Sequence, residues 1–126
     1  WGAISDYLEH ADNNICLVLQ IESPEGLAEL DAITQVDGVD AIFIGPADLA
    51  AAMGYLGQPG HPEVCRVVEQ AIQRVQALGK PVGVYCGDPE QTAKYQKMGA
   101  SFFLIAADTM LLKGAADNLL SRFHTK

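Results

Sequence analysis

Basic residues are scarce in this chain of 126 amino acids, where eight lysines and arginines stand against sixteen aspartates and glutamates. The formal net charge of −8 at pH 7 disfavours a nucleic acid or an anionic membrane as the main partner, because both repel an acidic surface. Long hydrophobic runs are missing as well, since none approaches the roughly 20 residues that span a bilayer. The first residues lack the basic-then-apolar pattern of a secretory signal. We therefore expect a cytoplasmic protein that does not bind membranes.

Cysteine is equally sparse. Cys16, Cys65 and Cys86 are odd in number and far apart in the sequence, which does not support a disulfide framework or a zinc site. We expect three buried or half-buried thiols. A methionine is also missing from the first position, and the start at Trp1 suggests that the sequence begins inside a longer protein.

Apolar residues are plentiful, at 49% of the chain, and this is enough for the core of one domain. Four short apolar runs predict buried strands at residues 15–22, 41–45, 81–86 and 102–107. Helix signals follow each run, so four strand-helix units fill residues 1–126 as a single α/β domain without a linker. Alternating strands and helices predict a parallel sheet with right-handed crossovers. Two architectures remain open: a small doubly wound sheet, or half of an eight-unit barrel, which has about 250 residues when complete.

Two carboxylates close the first two predicted strands, Glu22 after the first and Asp48 after the second. Because the carboxyl ends of neighbouring parallel strands meet at one edge, both side chains are expected near one point. Carboxylate oxygens are hard ligands, so the pair predicts a Mg²⁺ or Mn²⁺ site. Taken alone, Asp48 also suits an ordinary helix N-cap, and Glu22 suits a strand-end acid paired with a lysine or arginine.

Several longer motifs carry a resemblance to a known family. The chain reads Gln20-Ile-Glu22 and Gly45-Pro-Ala-Asp-Leu49, and further matches lie at residues 53–63, 79–81, 94–100 and 108–112. In the order and spacing of these pieces the chain resembles the HpcH/HpaI-type class II pyruvate aldolases, the 4-hydroxy-2-oxoheptanedioate and 2-dehydro-3-deoxyglucarate aldolase family. The resemblance covers the C-terminal half of the family's chain. The family fold is a TIM barrel, so the resemblance implies that this chain forms strands five to eight of that barrel.

The resemblance implies a set of site residues. Glu22 and Asp48 would hold the divalent ion, Mg²⁺ or Mn²⁺, with Co²⁺ also compatible. The substrate-binding residues would be Gln20, Gly45, Pro46, Ala47 and Asp48, with the backbone N–H groups of Ala47 and Asp48 meeting the carboxylate of pyruvate. The implied reaction is that of a carbon–carbon lyase, which joins pyruvate or another 2-oxo acid to an aldehyde, or cleaves the 4-hydroxy-2-oxo acid product, through a metal-stabilised enolate.

One departure limits this expectation. The family's catalytic arginine and histidine lie in the N-terminal half, so no catalytic residue is expected within this chain. His61 is predicted at a helix start, and His10 and His124 are predicted in solvent. The chain alone should bind metal and catalyse weakly. A non-catalytic half-barrel fragment or assembly module is the alternative, because a half barrel leaves two strand edges that must pair.

The partner of those edges is either a missing N-terminal half or a second copy. The last helix is unusually apolar from Met110 to Phe123, which predicts a homo-oligomer in which this helix covers a neighbouring subunit.

Overall fold

A computed structural model of the chain describes residues 2–123, so the predictions for Trp1 and His124 lie outside the described residues. Helices and strands alternate along it, with one extra helix at the start and one predicted helix split in two. In chain order the elements are α1 Tyr7–Asn14, β1 Val18–Ile21, α2 Pro24–Ala28, α3 Leu30–Thr34, β2 Ala41–Ile44, α4 Pro46–Ala52, α5 Pro62–Ala77, β3 Val82–Tyr85, α6 Pro89–Lys97, β4 Phe102–Leu104 and α7 Asp108–Ser121.

The four strands form one parallel sheet in the order β1-β2-β3-β4. The predicted α/β class with four parallel strand-helix units is therefore confirmed. A doubly wound sheet reverses its strand order at a switch point, whereas this order runs in one direction throughout. Because each right-handed crossover then places its helix on the same side, the helices cover one face of the sheet and leave the other bare. This is the arrangement of consecutive barrel strands, and it decides between the two architectures.

The covered face holds the hydrophobic core. Strand residues alternate between the two faces, and those that point toward the helices are almost fully buried, including Ile42, Ile44, Val82 and Val84. Helix α5 packs against them with one apolar stripe, formed by Val64, Val68, Ala71, Ile72 and Val75. Pro62 begins this helix, and Gly79, at φ +75°, lies just beyond its last turn.

The bare face carries the opposite set of strand residues. Phe43 on β2 and Phe102 on β4 lie across it with ring centroids 6.0 Å apart. The strand between them contributes Gly83, where a Cβ would lie 2.2 Å from the Phe102 ring. The glycine thus makes room for the aromatic pair, which fills the middle of the face that a complete barrel would enclose.

The element bounds differ from the sequence prediction in the strands and in two helices. Every strand is shorter than predicted, and the first and last differ most. Each of these two is an edge strand with a neighbour on one side only. The helix predicted after the first strand is divided into α2 and α3 at Glu29, whose φ and ψ of −95° and 9° are not helical. Helix α4 begins at Pro46 rather than after Asp48, since proline suits the first helical position.

Helix α7 packs poorly against the rest of the chain. None of its residues is buried, and its large apolar side chains are 56% to 75% exposed, namely Met110, Leu111, Leu112, Leu119 and Leu120. The predicted excess of apolar surface on the last helix is therefore present in the structure.

The structure also bears on the predictions about membrane spans and cysteines. No helix in the described part of the chain is long and apolar enough to cross a membrane. Cys65 and Cys86 are half-buried as predicted, but the prediction is wrong for Cys16, which is exposed because it precedes an edge strand without a neighbour on its open side.

Candidate functional site

Gln20 and Glu22 lie together at the carboxyl end of β1. They are two residues apart in extended chain, so both side chains point to the bare face of the sheet. The Gln20 amide nitrogen Nε2 donates a hydrogen bond to Glu22 Oε2. This bond holds the Glu22 carboxylate at the strand end.

Gly45 stands opposite this pair at the end of β2. Its backbone N–H donates to the Ile21 carbonyl at 3.1 Å, which continues the ladder between the two strands. A Cβ at this position would lie 2.9 Å from both Gln20 Nε2 and Glu22 Oε2. The φ of Gly45 is −102°, so any residue tolerates its backbone, and the glycine serves to admit the two polar side chains.

The turn after Gly45 opens helix α4. Gly45 is the N-cap, Pro46 takes the first helical position, and Ala47 and Asp48 complete the first turn. Backbone N–H groups in a first turn have no acceptor within the helix, and proline has no N–H, so those of Ala47 and Asp48 remain for an outside acceptor. Both residues are exposed.

Neither Glu22 nor Asp48 has the ordinary structural role that the sequence allowed for it. Asp48 is the third residue of α4 and not its N-cap, and no side chain caps this helix. Glu22 is half-buried, and among residues 2–123 neither it nor Asp48 forms an ion pair with a lysine, arginine or histidine. Within the described residues, two carboxylates without an ion-pair partner therefore flank Gly45.

Most of the predicted site residues line a cleft of about 290 Å³. Its lining includes all five predicted substrate-binding residues, Gln20, Gly45, Pro46, Ala47 and Asp48. Glu22 is joined to this cleft through its hydrogen bond with Gln20. The role of each residue in binding stays a prediction, but the fold brings the set to one place.

Three further residues that the sequence did not predict line the cleft, Phe43, Tyr85 and Leu104. Tyr85 ends β3 and Leu104 ends β4, and the two are paired in the sheet. Their position at carboxyl ends of predicted strands was an available signal, since that edge carries the ligand sites of such folds. The Tyr85 hydroxyl donates to the Met110 sulfur at 3.4 Å, which links the cleft to α7.

The oxygen ligands at the cleft are of the type that a hard divalent ion prefers, but the protein supplies few of them. Carboxylate oxygens of Glu22 and Asp48, with the Gln20 amide oxygen nearby, are the ligands that Mg²⁺ and Mn²⁺ prefer. Within residues 2–123 no group of three or more His, Cys, Asp or Glu side chains is arranged to hold a metal. Two protein carboxylates fit an ion that takes its other ligands from water and a substrate, as Mg²⁺ commonly does.

The described histidines lie away from this cleft. His61 is the N-cap of α5, as predicted: its Nδ1 accepts from the Glu63 N–H at 3.3 Å, and its ring stacks on Tyr55 at 3.8 Å. His10 lies on the exposed helix α1, where its Nε2 is 3.7 Å from Asp6. Neither residue lines the cleft, so the described chain places no histidine beside Glu22.

Parallel strands with their helices on one side and a polar cleft at their carboxyl ends define the barrel-type α/β enzymes. The chain belongs to the HpcH/HpaI aldolase/citrate lyase family, which it matches over residues 3–115. The family expectation from the motifs is thereby confirmed.

Individual relatives agree with this assignment. The chain is 47% identical over 123 residues to a hydroxypyruvate/pyruvate aldolase of Pseudomonas aeruginosa, with 98% of this chain and 46% of the relative covered. It is 46% identical to a 2-keto-3-deoxy-L-rhamnonate aldolase of Klebsiella pneumoniae, with 99% and 47% covered. A solved family member from Burkholderia cenocepacia superimposes with a TM-score of 0.85 at 32% identity, covering 95% of this chain and 47% of that one. The chain thus spans about half the length of these relatives.

The close packing at Gly45 leads to a first prediction. In the Gly45→Ala variant the new methyl group should push the Gln20 and Glu22 side chains apart, because it would lie 2.9 Å from each. Both side chains end in flexible groups at the surface of the cleft, so stability should change by no more than about 1 kcal/mol. We expect the Gln20 side-chain amide signals to shift in ¹⁵N NMR spectra while the thermal midpoint moves little.

Gly114→Ala is the matched control, since a Cβ there meets no atom within 4 Å and Gly114 lies inside helix α7. It should leave the Gln20 amide signals in place. Unchanged Gln20 signals in Gly45→Ala would show that the three groups are not packed as described.

Proposed function

We propose that this chain is the metal-binding and 2-oxo-acid-binding half of a class II aldolase. The supporting observation is the arrangement around Gly45. There two carboxylates that form no ion pair within residues 2–123 flank a polar cleft in a member of an aldolase/citrate lyase family. The substrates would be pyruvate, or a related 2-oxo acid such as the hydroxypyruvate in the name of one relative, and an aldehyde.

Each site residue then has a distinct role. Glu22 and Asp48 would supply carboxylate oxygens to Mg²⁺ or Mn²⁺, with Co²⁺ as a compatible substitute. When bound, such an ion supplies Lewis-acid stabilisation of negative charge on substrate oxygens. Gln20 orients Glu22 through its amide N–H, and its remaining donor and acceptor sites face the substrate.

The substrate carboxylate would lie against the first turn of α4. There Ala47 and Asp48 present their backbone N–H groups, and Pro46 fixes the turn without a competing donor. Gly45 keeps the space between the strands open for the Gln20–Glu22 pair. The chain's own contribution is therefore binding and orientation of the 2-oxo acid.

The described cleft contains no basic side chain that could assist proton transfer to or from the substrate. No lysine, arginine or histidine of the described chain lines the cleft, so no cationic side chain of residues 2–123 is placed there to neutralise an enolate. This absence also supports a second candidate function, a non-catalytic half-barrel module that binds the same ligands. In the leading proposal an N-terminal half, paired with the open edges of β1 and β4, brings those groups to the cleft.

The metal-site proposal predicts that both acids are necessary for metal-dependent pyruvate binding. Glu22→Gln and Asp48→Asn each remove one anionic oxygen ligand with little change in size. In isothermal calorimetry with Mn²⁺ and pyruvate, we expect each variant to lose at least about tenfold in affinity, equivalent to about 1.4 kcal/mol.

Glu29→Gln and Asp37→Asn are the matched controls, because each makes the same charge change at an exposed position outside the cleft. Both should bind like the parent chain. Binding that stays intact in either Glu22→Gln or Asp48→Asn would show that the metal site is misassigned.

A second experiment separates the two candidate functions. Deuterium exchange into the methyl group of pyruvate, followed by ¹H NMR with Mg²⁺ or Mn²⁺, reports enolate formation directly. Without a cation or base in the cleft, we expect the 126-residue chain to bind pyruvate but exchange its protons no faster than the metal alone. Chelator-sensitive exchange above that background would contradict this expectation and show that the chain is an enzyme by itself.

We further propose that the chain self-associates through α7. The support is the exposure of the large apolar side chains of this helix, of which Leu112 is the most exposed at 75%. Contiguous apolar surface of this kind is typical of interfaces. Light scattering coupled to size exclusion should give a mass above the 13.5 kDa of one chain.

Leu112→Arg should lower that mass, because it places a charge in the proposed interface. Val36→Arg is the control, since Val36 is also exposed, at 53%, but lies between α3 and β2. A parent chain that elutes as a 13.5 kDa monomer would refute self-association.

A further inference from the structure

Three neighbouring strands place Glu22, Gly45 and Tyr85 side by side at their carboxyl ends. The three positions lie one residue beyond the last paired residues of β1, β2 and β3, whose register they continue. In each strand the preceding residue is almost fully buried toward the helices, so these three face the bare side of the sheet. Adjacent strands are about 4.8 Å apart, which sets Glu22 and Tyr85 about 10 Å from each other across a glycine without a side chain.

Tyr85 forms the wall of the cleft opposite Glu22. Its side chain is half-buried, and it is the one hydroxyl-bearing residue among the described residues that line the cleft. The other two lining residues outside the predicted set, Phe43 and Leu104, are apolar. A ligand between the acids and this wall therefore meets one polar atom on the far side, the Tyr85 phenol oxygen.

The hydrogen bond that this hydroxyl forms leaves its oxygen available as an acceptor. Tyr85 donates its proton to the Met110 sulfur at 3.4 Å. A phenol has one proton to donate, but its oxygen also accepts hydrogen bonds. The arrangement in the structure is thus compatible with a second bond in which a ligand is the donor.

The need for a donor narrows the class of 2-oxo acid. In the proposed binding mode the substrate carboxylate lies against α4 and the 2-oxo oxygen lies near the two acids, so C3 is the end left to meet the Tyr85 wall. Pyruvate carries a methyl group at C3, which donates no hydrogen bond. A hydroxyl group on C3 supplies the missing donor.

We propose that Tyr85 is a specificity-determining residue, whose phenol oxygen accepts a hydrogen bond from the C3 hydroxyl of a 3-hydroxy-2-oxo acid such as hydroxypyruvate. The assignment rests on the proposed binding of a 2-oxo acid at this cleft and names the substrate class that the cleft prefers. Tyr85 contacts the substrate in this role without moving a proton.

Calorimetry in the presence of Mn²⁺ tests the assignment with two acids of similar size. Hydroxypyruvate carries the C3 hydroxyl, and 2-oxobutanoate has a methyl group in its place. The parent chain should bind hydroxypyruvate about fivefold to tenfold more tightly, as expected for one neutral hydrogen bond. Tyr85→Phe removes only the phenol oxygen, so it should reduce this preference to less than about twofold while the affinity for pyruvate stays the same.

Two control variants separate recognition of the hydroxyl from a structural effect. Tyr7→Phe removes the same group from the exposed helix α1, outside the cleft, and should keep the preference of the parent chain. Met110→Leu removes the sulfur that Tyr85 contacts and keeps an apolar side chain on α7. It should also keep the preference, because the phenol oxygen still accepts.

Three results would overturn the assignment and leave the proposed function intact, provided that pyruvate still binds. They are a Tyr85→Phe variant that keeps the preference of the parent chain, a parent chain that binds both acids equally, and a Met110→Leu variant that loses the preference as Tyr85→Phe does. In the first case the ion or another residue recognises the hydroxyl. A parent chain that binds no 2-oxo acid with Mn²⁺ would overturn both the proposed function and the role of Tyr85.

Discussion

The sequential pairing of four parallel strands is the constraint from which the rest of this structure follows. Each right-handed crossover returns to the next strand on the same side, so helices accumulate on one face of the sheet. That face becomes the core, packed on α5, while the other stays open and carries aromatic and polar side chains. The same winding brings all carboxyl ends of the strands to one edge, where the polar cleft lies.

The register between β1 and β2 determines the geometry of the cleft. Gln20 pairs with Phe43, and the ladder continues to Gly45, so the Gln20–Glu22 pair lies directly beside the end of β2. A side chain at Gly45 would occupy the space that the two polar groups use. A shift of one residue would turn Gln20 and Glu22 toward the helices, where a carboxylate has no partner. The hydrophobic core thus holds the acids in place, because it fixes which face each strand residue presents.

The half-length match to relatives accounts for several features that are unusual in a globular domain. Edge strands lack a second neighbour, α7 exposes its apolar residues, and the described part of the cleft contains acids but no cation. Each is expected of four consecutive units from an eight-unit barrel, in which the other half pairs with the edges and faces the cleft. In such a barrel the strands that close the open edges are also those that face the cleft.

Local sequence patterns determined the order of elements, the α/β class and the positions of Glu22 and Asp48 at strand ends, because apolar runs, prolines and capping residues act within a few residues of the chain. The motifs from Gln20 to Leu49 also identified the family. The tertiary structure decided what depends on contacts distant in the chain: the one-directional strand order, the roles of Gly45 and Gly83 as spaces for neighbouring side chains, and the place of Tyr85 in the cleft. It also decided that Asp48 is not a helix cap, because helix α4 begins at Pro46.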